Sequence, residues 1–181
     1  MTFIPQIIAL DWSRKSTGVA IGRPGEKPEF STVKFATYAN ADIGDIGAAL
    51  LTWVNEFTTQ YRPDIVILER HMNPGDSRGM EAAIYAIAAD AIIKGACKLR
   101  RIRAEDVHRG TWTKFFLGNG GLSSNEAKKR GFEICLELGW NPNNYDESDA
   151  GGIWAWSCAT YAGHANDAIL PLMAAAQRRA R

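Results

Sequence analysis

The stretch "DESDAGGIWAW" sets Asp146, Glu147 and Asp149 within four residues, then turns almost wholly apolar. A carboxylate at the start of a helix meets unpaired N–H groups and the positive end of the dipole, which accounts for one such acid. Asp146 and Asp149 are three residues apart and share a helical face, where like charges repel unless something positive lies between them. Two further acids close apolar runs: Asp11 ends "IIALD" and Glu69 ends "IVILE". Singly, each is compatible with a strand running out into solvent. In open α/β sheets, however, ligands sit beyond the carboxyl ends of the strands, so both acids are expected to face one crevice, with the "DESD" helix bringing Asp146 and Asp149 to it. Four carboxylates gathered there repel one another unless hard cations hold them, and an all-oxygen ligand set favours Mg²⁺ or Mn²⁺.

The elements that must carry these acids are legible in outline. "QIIALD" and "TGVAIGR" read as adjacent strands, and "EFSTVKFATY" as a third after the turn "GRPGEKP", which together make a meander. Ile43, Ile46, Leu50, Val54 and Phe57 recur at intervals of three and four, the stripe of a helix over residues 41–60. "DIVIL" is a central strand, and "GMEAAIYAIAADAIIKGA" a helix. "CKLRRIRA" reads as a strand with one basic face and "DVHRGTWTKFFLG" as a short helix. Ser123 with Glu126 forms a capping box for a helix through about Leu138, and "DESDAGGIWAW" opens the last helix, ahead of a tail expected to fray from about residue 172. The expected architecture is one α/β domain over residues 1–181, a mixed sheet with helices on both faces.

At 46% apolar and 23% charged residues, the 181-residue chain has an ordinary globular composition. No apolar run approaches the roughly 20 residues of a membrane span, and "MTFIPQIIALDWS" lacks the basic start of a signal peptide, so a cytoplasmic protein without membrane contact is expected. Cys97, Cys135 and Cys158 form no C-x-x-C pair and read as buried small residues. The total charge is +1, but residues 94–130 hold ten basic side chains against three acidic ones, a net +7 that leaves −6 for the rest. Such a segment suits a phosphate backbone, although solvated helix faces give the same pattern.

"IIALDWSRKSTGVAI", "PDIVILER", "TKFFLGNGG" and "DESDAGGIWAW" resemble, in order and spacing, the blocks of the RuvC-type Holliday junction resolvases, a branch of the ribonuclease H-like superfamily. The resemblance spans roughly residues 6–160, with Asp11, Ser13, Thr17 and Gly18 matching the family's first motif. It implies a five-stranded mixed sheet with an antiparallel second strand, a homodimer, and two Mg²⁺ or Mn²⁺ ions per subunit on Asp11, Glu69, Asp146 and Asp149. The implied reaction is hydrolysis of phosphodiesters in branched DNA, at four-way junctions, with no nucleotide cofactor. Lys114 becomes a candidate phosphate contact or charge partner in the transition state, and Arg70, His71 and Arg78 candidate DNA contacts. The family often carries a lysine near Ser124; here Lys128 and Lys129 follow a helical turn later. Trp12 stands where many relatives have proline, and burial beneath the site is its expected use. The helix over residues 80–96 is a candidate for the dimer contact. Other readings are a ribonuclease H acting on RNA–DNA hybrids, a junction-binding module without catalysis, and an actin-like ATPase, which would need a second domain.

Overall fold

"IIALD" and "IVILE" are apolar everywhere but at the last residue, which demands cover on both faces. The computed structural model describes residues 3–13, 16–35, 41–70, 80–161 and 169–179. It provides that cover around one mixed sheet of β1 (Ile7–Asp11), β2 (Thr17–Gly22), β3 (Glu29–Val33), β4 (Ile65–Glu69) and β5 (Arg103–Val107), ordered β3-β2-β1-β4-β5. β2 is antiparallel to β1 and β3, whereas β1, β4 and β5 run parallel. This is the five-stranded arrangement expected, with its second strand reversed.

Alternation along the two central strands separates two cores. Ile7, Ala9, Ile65 and Ile67 point to one face, Ile8, Leu10, Val66 and Leu68 to the other. The second face is covered by α1 (Ile43–Tyr61) and α2 (Met80–Leu99), whose Leu50, Val54 and Ile93 are buried there. The first face is covered by α3 (Arg109–Leu117), α4 (Ser124–Glu137) and α5 (Tyr145–Tyr161). Asp11 and Glu69 continue the odd-numbered series of their strands, so their side chains belong to the face that meets α5.

Helix α5 lies directly on that face because its sequence leaves room. A Cβ on Gly151 would approach the Phe30 ring to 3.1 Å, and one on Gly152 would come within 2.7 Å of the Trp112 indole. On the strand side, a Cβ on Gly18 would land on the carbonyl group of Asp146. Glycines on both partners therefore set the approach of the helix to the sheet. Ser123 and Glu126 form the expected capping box of α4.

Two expectations need correction. "CKLRRIRA" is not a strand: α2 runs through Leu99, and Arg101 adopts the left-handed conformation (φ 59°) while the Ile102 amide bonds back to the Cys97 carbonyl (2.9 Å). The strand is instead "RAEDV", an edge strand whose charges blunt its pairing surface and hide it from propensity. Nor is α5 the last helix. A further helix, α6 (Ile169–Arg179), follows and takes in residues 172–179 of the tail, with Met173 and Ala176 in the core and the Gln177 amide donating to the carbonyls of Phe115 (2.9 Å) and Phe116 (2.8 Å).

Gly18 and Gly95 should respond oppositely to alanine. Gly18→Ala forces the first turn of α5 off the sheet and should cost about 1–3 kcal/mol or more in urea unfolding. Gly95, on α2 with open space around it, should gain up to about 1 kcal/mol on the same substitution.

Candidate active site

β1 and β4 are paired in register through Leu10 and Leu68, so the next residues, Asp11 and Glu69, leave the sheet side by side. The turn after Asp11 is held by two side chains. The Thr17 hydroxyl donates to the Ser13 carbonyl (2.9 Å), and the Ser13 hydroxyl to the Ser16 carbonyl (2.8 Å). Thr17 is fully buried, so the D-x-S-x-x-x-T-G pattern is a structural staple that returns the chain to Gly18, opposite Asp11. Trp12 is buried against the α1–α2 core, as expected.

The acids of "DESD" divide by helical position. Glu147 points to the sheet edge and is fully engaged: it accepts from the Asn143 amide (2.6 Å), the Asn143 side chain (3.0 Å) and the Thr32 hydroxyl of β3 (2.7 Å). Asn144 caps the helix by accepting from the Glu147 amide (2.9 Å). Asp146 and Asp149 face the strand ends. Lys128 of α4 lies 3.3 Å from the Asp146 carboxylate, and Asp149 is only 4% exposed.

Electrostatics shows the four acids acting on one another. Asp11 keeps a partly exposed edge, yet dense packing around its carboxyl raises its pKa well above the ordinary range, and Asp149, Glu69 and Asp146 raise it further. Burial likewise pushes Asp149 up to about 7; Lys128 and Arg109 pull it down, and Glu69 and Asp146 push it up. The crevice is thus a place where negative charge accumulates with incomplete compensation. Glu69 is additionally fixed by Trp112, whose indole N–H donates to its Oε2 at 2.7 Å.

The donor set suits a hard divalent cation, being all oxygen and all carboxylate. Among the described residues, no three acidic, histidine or cysteine side chains are already drawn together tightly enough to grip an ion. Lys128 is the cationic partner of Asp146.

The basic residues fall into two groups. Lys128 and Arg109 act on the acids directly. Lys114 is exposed on α3, Lys129 is an outward-facing partner of Glu133 (3.9 Å), and Arg70 makes a long contact with Asp106 (3.8 Å). His71 and Arg78 lie outside the described residues. Arg109 and Trp112 were not singled out in the sequence, because their relation to the acids is tertiary and has no local spacing. Two concavities, of 410 and 510 Å³, sit at the opposite ends of β4 and β5 among Arg62, Arg100, Arg101 and Lys98, and neither includes an acid of the crevice. Among the described residues no helix is long and apolar enough to cross a membrane.

No protein-family model matches the sequence, and no curated protein matches it. Solved structures do match its shape. Thermus thermophilus RuvC superposes with a TM-score of 0.66 at 17% identity, covering 90% of this chain and 96% of that one. The fold is that of the RuvC-type resolvases. T. thermophilus RuvC in complex with a Holliday junction substrate gives 0.65 at 15% identity, over 89% and 94% of the two chains. The yeast mitochondrial Holliday junction resolvase gives 0.62 at 9%, over 92% and 85%. In this fold, the acids at the ends of β1 and β4 and on the first turns of α5 act on one another's charge.

The raised acids predict an inverted pH dependence of stability. Between the ordinary carboxylate range and about pH 7 the folded protein retains protons that the unfolded chain releases, so stability must fall as pH rises through this window. In EDTA, Tm should therefore drop between about pH 5 and about pH 8, and Mg²⁺ should raise it most at the upper end. Asp149→Asn should flatten both responses in calorimetric scans.

Proposed function

We propose that this protein is a divalent-metal-dependent endonuclease that hydrolyses phosphodiesters at four-way DNA junctions. What supports the reading is the mutual electrostatic influence of Asp11, Glu69, Asp146 and Asp149, with Lys128 and Arg109 acting on it, on a RuvC fold. The four carboxylates would hold two Mg²⁺ or Mn²⁺ ions. When bound, the ions supply Lewis acidity for the attacking water and the departing 3′-oxygen. Burial raises Asp11 well above the ordinary carboxylate range and Asp149 to about 7, so cation binding at these two acids would release the protons they retain.

Lys128 neutralises Asp146 and is placed to transfer its contact to a phosphate once cations occupy the crevice. Of the two lysines that follow Ser124, it is therefore Lys128 and not Lys129 that we assign to the site. Arg109 acts on Asp149, and we assign the exposed Lys114, Lys129 and Arg70 to phosphate contacts with the DNA. Phosphates fix the duplex arms without reading sequence. Paired nicks require two active sites, and we place the homodimer contact on α2, where Ile84 (48% exposed) and Ile87 (60% exposed) lie uncovered. Ile87→Glu should shift the mass from dimer to monomer in light scattering.

A panel of four-way junction, linear duplex and RNA–DNA hybrid decides the substrate. Nicking of the junction alone is expected; preferential cutting of the hybrid would favour the ribonuclease H reading. Asp149→Asn should bind junctions normally and lose nicking by at least about 100-fold, a change of roughly 2.7 kcal/mol in the barrier. Wild-type binding should weaken steeply with salt, and Lys128→Ala should make that slope shallower by about one.

A further inference from the structure

Trp112 and Trp154 are the two largest fully buried side chains among the described residues, and the one polar atom of Trp112 is spent on Glu69. Its ring is positioned with little freedom. It lies where a Cβ on Gly152 of α5 would come within 2.7 and 2.8 Å of two of its carbons, so the glycine is what admits it. The helix that carries it is anchored in turn from the far side, through the two bonds from Gln177 of α6 to the carbonyls of Phe115 and Phe116. The end of this chain of contacts is the 2.7 Å bond from the indole N–H to Glu69 Oε2.

We infer that Trp112 is a positioning residue that fixes the Glu69 carboxylate for divalent-cation binding. This rests on the function proposed above. An indole is a neutral donor, so it orients Glu69 without cancelling its charge, whereas a lysine or arginine in its place would compete with a cation. A glutamate held in one rotamer before the cation arrives loses less freedom on binding. Partners of this kind behind metal ligands typically govern affinity by about 10- to 100-fold.

The test is calorimetric titration with Mn²⁺ on the full chain, without DNA. Trp112→Phe retains an aromatic ring and removes the N–H. A sulfur analogue of tryptophan, benzothienylalanine placed at position 112 alone, retains the bulk more closely and serves if the phenylalanine variant folds poorly. Both should bind Mn²⁺ at least about 10-fold more weakly than wild type, with metal-free junction binding unchanged. Nicking should recover at high Mn²⁺, so that the half-saturating concentration moves and the limiting rate does not. Unaltered Mn²⁺ affinity in the sulfur analogue overturns the inference. If wild type and Asp149→Asn bind Mn²⁺ alike, the metal-site reading itself fails; if Asp149→Asn loses binding while the Trp112 variants match wild type, Trp112 alone has been misassigned.

Discussion

The structure is organised around an interaction that disfavours it: buried carboxylates within reach of one another's charge. Burial and neighbouring acids raise both Asp11 and Asp149, and each such shift is free energy stored against the charged form. Nothing in the packing of a sheet requires this. Register alone brings Asp11 and Glu69 together, since β1 and β4 are parallel and in step, but a neutral or apolar residue at either position would serve the core better. Local unfavourable electrostatics that the surrounding fold sustains is characteristic of a site built to bind opposite charge.

Helix α5 sustains it through a division of labour between adjacent acids. Glu147 is saturated by Asn143 and Thr32 and ties the helix start to the edge strand β3. Asn144 caps the same turn. With the N-terminus so anchored, and with Gly151 and Gly152 letting the helix settle against Phe30 and Trp112, Asp146 and Asp149 cannot relieve their repulsion by moving the helix away. They remain on a rigid element facing other rigid elements. A site on strand ends and a helix start keeps its geometry better than one on loops.

The central features of this arrangement were legible because they are local. Two apolar runs ending in acids, an i, i+3 pair of aspartates and a capping box each follow from short-range periodicity, and they placed both central strands, α4 and α5. What escaped was tertiary or masked by charge. "RAEDV" offers no β-branched alternation, and only pairing with β4 makes it a strand. The polar end of α6 looks like solvent-exposed tail until Gln177 is seen on the carbonyls of α3. The role of Glu147 was implicit in helix geometry, since a neighbour in sequence points about 100° away from Asp146. The bond from Trp112 to Glu69 spans 43 residues and has no signature in spacing.

Charge distribution connects this local strain to the kind of ligand the surface suits. The acids occupy the carboxyl ends of β1 and β4, whereas the arginine-lined concavities lie at the opposite ends of β4 and β5. A polyanion cannot approach bare carboxylates favourably, so positive charge has to intervene at the crevice itself. Lys128 supplies one such charge and is already committed to Asp146, with Arg109 the second basic group acting on Asp149. One lysine and one arginine do not neutralise four carboxylates and a phosphate together. The balance is met by protons, which the raised Asp11 and Asp149 retain, and any cation that enters where the strands end does so in exchange for them.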